Sequence, residues 1–93
     1  MKITKVDVYV LDAGEQRGAR YPICCRIHTD EGIYGDGEAA LAYGEAQSAA
    51  FGIVQNFAKL IIGMNPLDHE IIWDKLYRST FWGQNGGPVI FAG

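Results

Sequence analysis

The residues of this 93-residue chain that are able to do chemistry fall in a few short stretches. Asp36 and Glu38, in the run Gly35-Asp36-Gly37-Glu38, are carboxylates two positions apart. On an extended strand that spacing puts both on one face, together with Tyr34. Paired carboxylates can act as acid and base toward a substrate. The strand pairing argued below sets Arg26 opposite Asp36, however, and an ion pair outweighs catalysis there. The glycines around them invite comparison with a phosphate-binding loop. The run has neither the lysine nor the spacing of a nucleotide-binding fingerprint, and glycines at a strand end otherwise mark the close approach of a neighbouring element. His28 reads as a solvated or interface residue, and His69 has no second histidine at the spacing of a zinc-binding helix.

Arg17 and Arg20 lie in the polar, glycine-containing segment between Asp12 and Tyr21. A guanidinium carried on a loop can hold a carboxylate through two parallel hydrogen bonds. Two solvated arginines are the alternative, and charge alone does not separate the two readings. Tyr43, in Leu41-Ala42-Tyr43-Gly44, stands in a second loop, either lining a ligand pocket or packing on the helix that follows. Phe81 and Trp82 read as core or interface residues at a helix end. The sequence holds no serine–histidine–acid set, no cluster of metal ligands and no nucleophile elbow, so the residues alone assemble no complete active site. Cys24 and Cys25 are neighbours in a strand-like run; they point to opposite faces and read as unlinked thiols.

These residues must be positioned by three strands and two helices. Val6, Val8 and Val10 alternate with Asp7 and Tyr9, and Ile3 is out of phase with the valines, which predicts a bulge or twist near the chain start. Ile23, Cys25 and Ile27 alternate with Cys24, Arg26 and His28. Keeping them on one face with Ile33 requires an odd-length loop, and Asp30-Glu31-Gly32 supplies three residues with Gly32 at the left-handed position. That register sets Arg26 across from Asp36. The period then changes: Ala46, Ala50, Ile53, Val54, Phe57 and Ile61 recur at helical spacing, with Gly63 as the terminating glycine. A second helix is expected from Asn65 as cap and Pro66 in its first position, with Asp68 and Glu70 near its positive end. Leu67, Ile71, Ile72, Leu76 and Trp73 form its expected buried stripe. Strands followed by helices predict an α+β fold: a three-stranded antiparallel meander covered by a helical hairpin.

A net charge of −3 gives no electrostatic footprint for nucleic acid. The most apolar stretch is broken by Gln55, Asn56 and Lys59, so no membrane span is expected. Met1 and Lys2 lead into strand-like alternation and not a leader peptide, so the cytoplasm is the expected compartment. Near the C-terminal end, Gly86-Gly87-Pro88 reads as a turn and Val89, Ile90 and Phe91 as the start of an element with nothing after it to pack on. The expectation is a protein that continues.

Four stretches, MKITKVDVYVLDAG, CRIHTDEGIYGDGEA, IIGMNPLDHEIIWDKLYR and TFWGQNGGPV, closely resemble the N-terminal capping domain of the enolase superfamily, in the branch of mandelate racemase and muconate lactonizing enzyme. The likeness covers essentially the whole chain and is most specific in TDEGIYGDGE. The last stretch is similar to members that dehydrate sugar acids, such as galactonate. The resemblance implies that residues 1–93 are one α+β cap followed by a TIM-barrel catalytic domain. That barrel would carry the carboxylates for an essential Mg²⁺ and the acid–base groups, so this chain alone would bind no metal and be inactive. It further implies chemistry that removes a proton next to a carboxylate, by a lyase or isomerase that assembles as a homo-oligomer. Two cap loops close over the substrate in this family; they correspond here to residues 13–21 and 39–44, which gives Arg17, Arg20 and Tyr43 weight as substrate-binding residues. Asp36 departs from the aromatic residue often found at its position. The contrasting expectation is a freestanding α+β module that binds a protein or small ligand.

Overall fold

The computed structural model describes residues 1–12, 21–39 and 47–79. Three strands, β1 (Ile3–Val10), β2 (Ile23–Thr29) and β3 (Tyr34–Ala39), precede two helices, α1 (Gln47–Ile61) and α2 (His69–Ser79). The strands form one antiparallel sheet in the order β1-β2-β3. This is the α+β meander and helical hairpin expected from the change of period.

The β2–β3 turn follows from its residues. Asp30, Glu31 and Gly32 join the strands, the Thr29 amide donates to the Ile33 carbonyl at 3.1 Å, and Gly32 has a φ of +76°. A residue with a Cβ is strained in that conformation, so glycine at this position fixes a three-residue loop and with it the pairing of Arg26 with Asp36. Ile33 shares the face of Ile27 but lies beyond the helical cover and is 59 % exposed.

At the other edge, the register of β1 on β2 shifts between Ile3 and Lys5. This bulge answers the broken alternation near the chain start. It turns Ile3 onto the face of Val6 and Val8, where it is buried with Ile23, Cys25 and Ala39. Helix α1 covers that face with Ala50, Val54, Phe57 and Ile61, four residues at helical spacing. Full burial of Ile3 and Ile23 contributes about 1.5–3 kcal/mol each before conformational entropy is counted. Gly63, at φ +88°, ends α1. The chain then crosses to the sheet edge, where the Ile3 amide donates to the Met64 carbonyl and the Ile3 carbonyl accepts from the Gly63 amide, both at 2.8 Å.

Helix α2 departs from the sequence reading in two respects. Asn65 does not cap it. Its Oδ1 accepts from the Leu67 amide at 3.0 Å and its carbonyl from the Asp68 amide at 3.0 Å, closing a turn that holds Pro66. The helix begins after Asp68, whose carbonyl accepts the first helical bond from Ile72 at 3.0 Å. The buried stripe is also narrower. Leu76 is buried and Ile72 packs against the core, whereas Leu67, Ile71 and Trp73 are exposed.

Phe57 is the largest side chain in the buried cluster of sheet and helix residues. Phe57→Ala is expected to lower the unfolding free energy by about 3–5 kcal/mol, read as a shift of the urea midpoint at constant slope. A loss under about 1 kcal/mol would show that this core does not carry the fold.

Candidate functional site

Register places the roots of two loops side by side. Val10 pairs with Ile23, and Ile23 pairs with Ala39. The chain leaves β1 at Val10, returns into β2 at Ile23, and leaves β3 at Ala39, all at the end of the sheet opposite the Asp30–Gly32 turn. The β1–β2 ladder extends one step past the strands, the Leu11 amide donating to the Pro22 carbonyl at 3.1 Å. Ile23 and Ala39 are buried, so the bases of both loops are anchored in the core. The candidate substrate-binding residues belong to these loops: Arg17 and Arg20 to the first, Tyr43 to the second. All three lie outside the described residues, as do Phe81, Trp82 and residues 89–91.

The face of the sheet turned away from α1 is polar and tightly paired. Arg26 donates from Nε to Asp36 Oδ1 at 2.7 Å and from Nη2 to Asp36 Oδ2 at 3.1 Å, the two-pronged contact that cross-strand placement allows. Its guanidinium carbon also lies 4.1 Å from the Tyr34 ring centroid. Next to this set, His28 Nε2 stands 2.8 Å from Asp7 Oδ2, and Lys5 Nζ 3.3 Å from Asp7 Oδ1.

Hydrogen bonds from Arg26 lower the Asp36 carboxyl below its ordinary value, and hydrogen bonding by His28 is the main cause that lowers Asp7. The same contact with Asp36 raises Arg26. A carboxylate held ionised by its partners is a poor proton donor, and Asp36 is already engaged on both oxygens. The pairing argued from the sequence is therefore present. Burial raises both cysteine thiols, which disfavours the thiolate form. Among the described residues, no three His, Cys, Asp or Glu side chains gather to hold a metal ion. The described residues therefore do not form a Mg²⁺ site.

The Asp7–His28 pair was not read from the sequence. It depends on the β1–β2 register, which the long connecting segment does not fix. Gly35 of β3 also differs from expectation. No described atom lies within 4 Å of where a Cβ on Gly35 would stand, so no described element approaches it.

The fold is that of an enolase-superfamily N-terminal domain, and the sequence bears this out. Residues 6–92 match the mandelate racemase / muconate lactonizing enzyme N-terminal domain, and the chain belongs to that family. Among curated relatives, a D-galactonate dehydratase family member of Pseudarthrobacter chlorophenolicus is 37 % identical over 99 % of this chain and 20 % of that protein. A D-mannonate dehydratase of Novosphingobium aromaticivorans is 36 % identical over 96 % of this chain and 20 % of its own length. The crystal structure of an enolase-superfamily member from Salmonella Typhimurium superimposes with a TM-score of 0.78 at 44 % identity, covering 96 % of this chain and 22 % of the other. The chain thus spans about a fifth of the length of the curated relatives it matches.

Because Asp7 and Asp36 titrate below their ordinary value of 3.8 in the folded chain, they favour folding above that pH. Their contribution disappears as pH falls through the depressed folded values. The urea midpoint of the wild type is expected to fall more steeply below about pH 4 than that of Asp36→Asn. Parallel curves would show that the Arg26–Asp36 contact is without effect on folding.

Proposed function

We propose that this chain is the capping domain of a longer, Mg²⁺-dependent enzyme that removes a proton next to the carboxylate of an acid sugar, and that its two loops select the substrate. The observation that carries the reading is the alignment of Val10, Ile23 and Ala39, which roots both loops at one end of the sheet, with Ile23 and Ala39 buried. In this reading Arg17 or Arg20 holds the carboxylate or a hydroxyl of the substrate, Tyr43 lines the same space, and the loops exclude water when closed. The catalytic groups and the Mg²⁺ belong to a C-terminal barrel beyond these residues, so residues 1–93 alone are inactive. Leu67, in the turn before α2, and Ile71, on α2, are exposed and offer apolar surface to the following part of the chain.

Dehydration is favoured over racemization or epimerization by the relatives that bear the names D-galactonate and D-mannonate dehydratase. The complete enzyme works in the cytoplasm as a homo-oligomer. No described helix is long and apolar enough to cross a membrane.

In the complete enzyme, Arg17→Ala and Arg20→Ala are the direct test. Whichever arginine holds the carboxylate loses about 10- to 100-fold in kcat/KM on its acid sugar, the effect of one charged hydrogen-bonded contact. Lysine at the same position does not restore the two-pronged contact, and far-UV circular dichroism stays unchanged. Unaltered kcat/KM in both alanine variants would remove the arginines from the substrate site.

A further inference from the structure

The apolar stripe of α1 has a polar first member. Ala50, Val54, Phe57 and Ile61 are its buried residues, and Gln47, the first residue of the helix, stands one turn before Ala50 in the same line. That place accounts for the state of its side chain. The Gln47 Oε1 atom is buried and has no hydrogen-bond partner. A buried acceptor without a donor is costly to a fold, and one in a native protein calls for a reason. Methionine or leucine would continue the stripe without that cost. A residue that breaks the pattern of its own helix is the kind of exception that functional sites produce.

The direction of α1 places this atom in the fold. The C-terminal end of the helix is tied through Gly63 and Met64 to Ile3, which pairs with Thr29 beside the Asp30–Gly32 turn. Fifteen helical residues rise about 21 Å. The eight-residue strand β1, against which α1 lies, spans roughly 23 Å. The helix therefore starts at the opposite end of the sheet, where Val10, Ile23 and Ala39 root the two loops. Gln47 as a whole is only partly buried. Its carboxamide lies just below the surface, and rotation about the side-chain bonds can bring the oxygen to a ligand.

We propose that Gln47 determines specificity in the complete enzyme: its carboxamide oxygen accepts a hydrogen bond from one hydroxyl of the acid sugar, at the end away from the carboxylate. The inference rests on the reading of this chain as a substrate-selecting cap and adds a contact to it. The chemistry of the atom selects the ligand group. An amide oxygen accepts and does not donate, so it disfavours the carboxylate, which is assigned to an arginine of the first loop, and takes an O–H. Gln47 follows the second loop and serves the other end of the molecule. Because the oxygen is unpaired in the unliganded chain, the hydroxyl gains a hydrogen bond there without displacing one to water.

A cycle of one substitution and one missing hydroxyl tests this in the complete enzyme. Gln47→Met keeps the length of the side chain and removes the amide. Both enzymes are offered D-galactonate and D-mannonate, and monodeoxy analogues lacking one hydroxyl away from the reacting carbons. On the intact sugar the variant is expected to lose about 10- to 100-fold in kcat/KM. On the analogue that lacks the recognised hydroxyl, it is expected to equal the wild type. No loss on the intact sugar, or a loss of the same size on every analogue, would overturn the inference, because a structural defect acts on all of them alike. The urea midpoint of the unliganded variant is expected to match or exceed that of the wild type. A lower midpoint would give the oxygen a partner within the enzyme and overturn the inference while leaving the cap reading intact. A wild-type enzyme that turns over neither sugar would remove the proposed substrate class and this inference together. The wild-type complex with an unreactive acid-sugar analogue needs no substitution. A sugar hydroxyl is expected about 2.5–3.0 Å from Gln47 Oε1, and an oxygen that meets only protein groups or water there would overturn the inference as well.

Discussion

The rest of the structure depends on strand register, and the β2–β3 register depends on one turn. Gly32 takes a left-handed conformation that closes a three-residue loop between Thr29 and Ile33. A slip of one residue would turn β3 over, moving Ala39 out of the core and Asp36 into it. The Arg26–Asp36 contact is available only in the observed register, and it opposes such a slip from the polar face of the sheet. Because the same register carries through to Ile23 and Ala39, a turn at one end of the sheet determines where the loops begin at the other.

A second constraint joins the sheet to the helices. The bulge before Lys5 turns Ile3 inward, and the outward backbone of Ile3 receives the Gly63–Met64 segment as the chain passes from α1 toward α2. One residue therefore anchors a buried side chain and a two-bond bridge to the interhelical connection. This bridge lies at the end of the sheet near the Asp30–Gly32 turn, opposite the loop roots, of which Ile23 and Ala39 are buried. A rigid base with variable loops on it is the usual arrangement for substrate selection.

Much of the fold was legible because its signals are local. Alternation marked the strands, the phase break at Ile3 marked the bulge, parity and Gly32 defined the hairpin, and helical spacing named all four buried residues of α1. What was missed depends on relations between elements. Asn65 looked like a helix cap because Asn-Pro suits both a cap and a turn, and only the backbone bonds decide between them. Leu67 and Ile71 have the spacing of a buried stripe, but spacing does not say whether a partner covers it. The Asp7–His28 pair needed the β1–β2 register, which no short turn defines. For the site, the residues could be nominated by type and loop position, while the adjacency of the loop roots came from the pairing of Val10, Ile23 and Ala39.

The central claim is that both loops rooted at this end of the sheet meet the substrate. It is tested most directly by the crystal structure of the complete enzyme with an unreactive acid-sugar analogue bound. The account predicts that residues of both loops contact the ligand, with the Arg17 or Arg20 guanidinium at charge-assisted hydrogen-bond distance, about 2.7–2.9 Å, from its oxygens. A bound analogue that neither loop touches would contradict it.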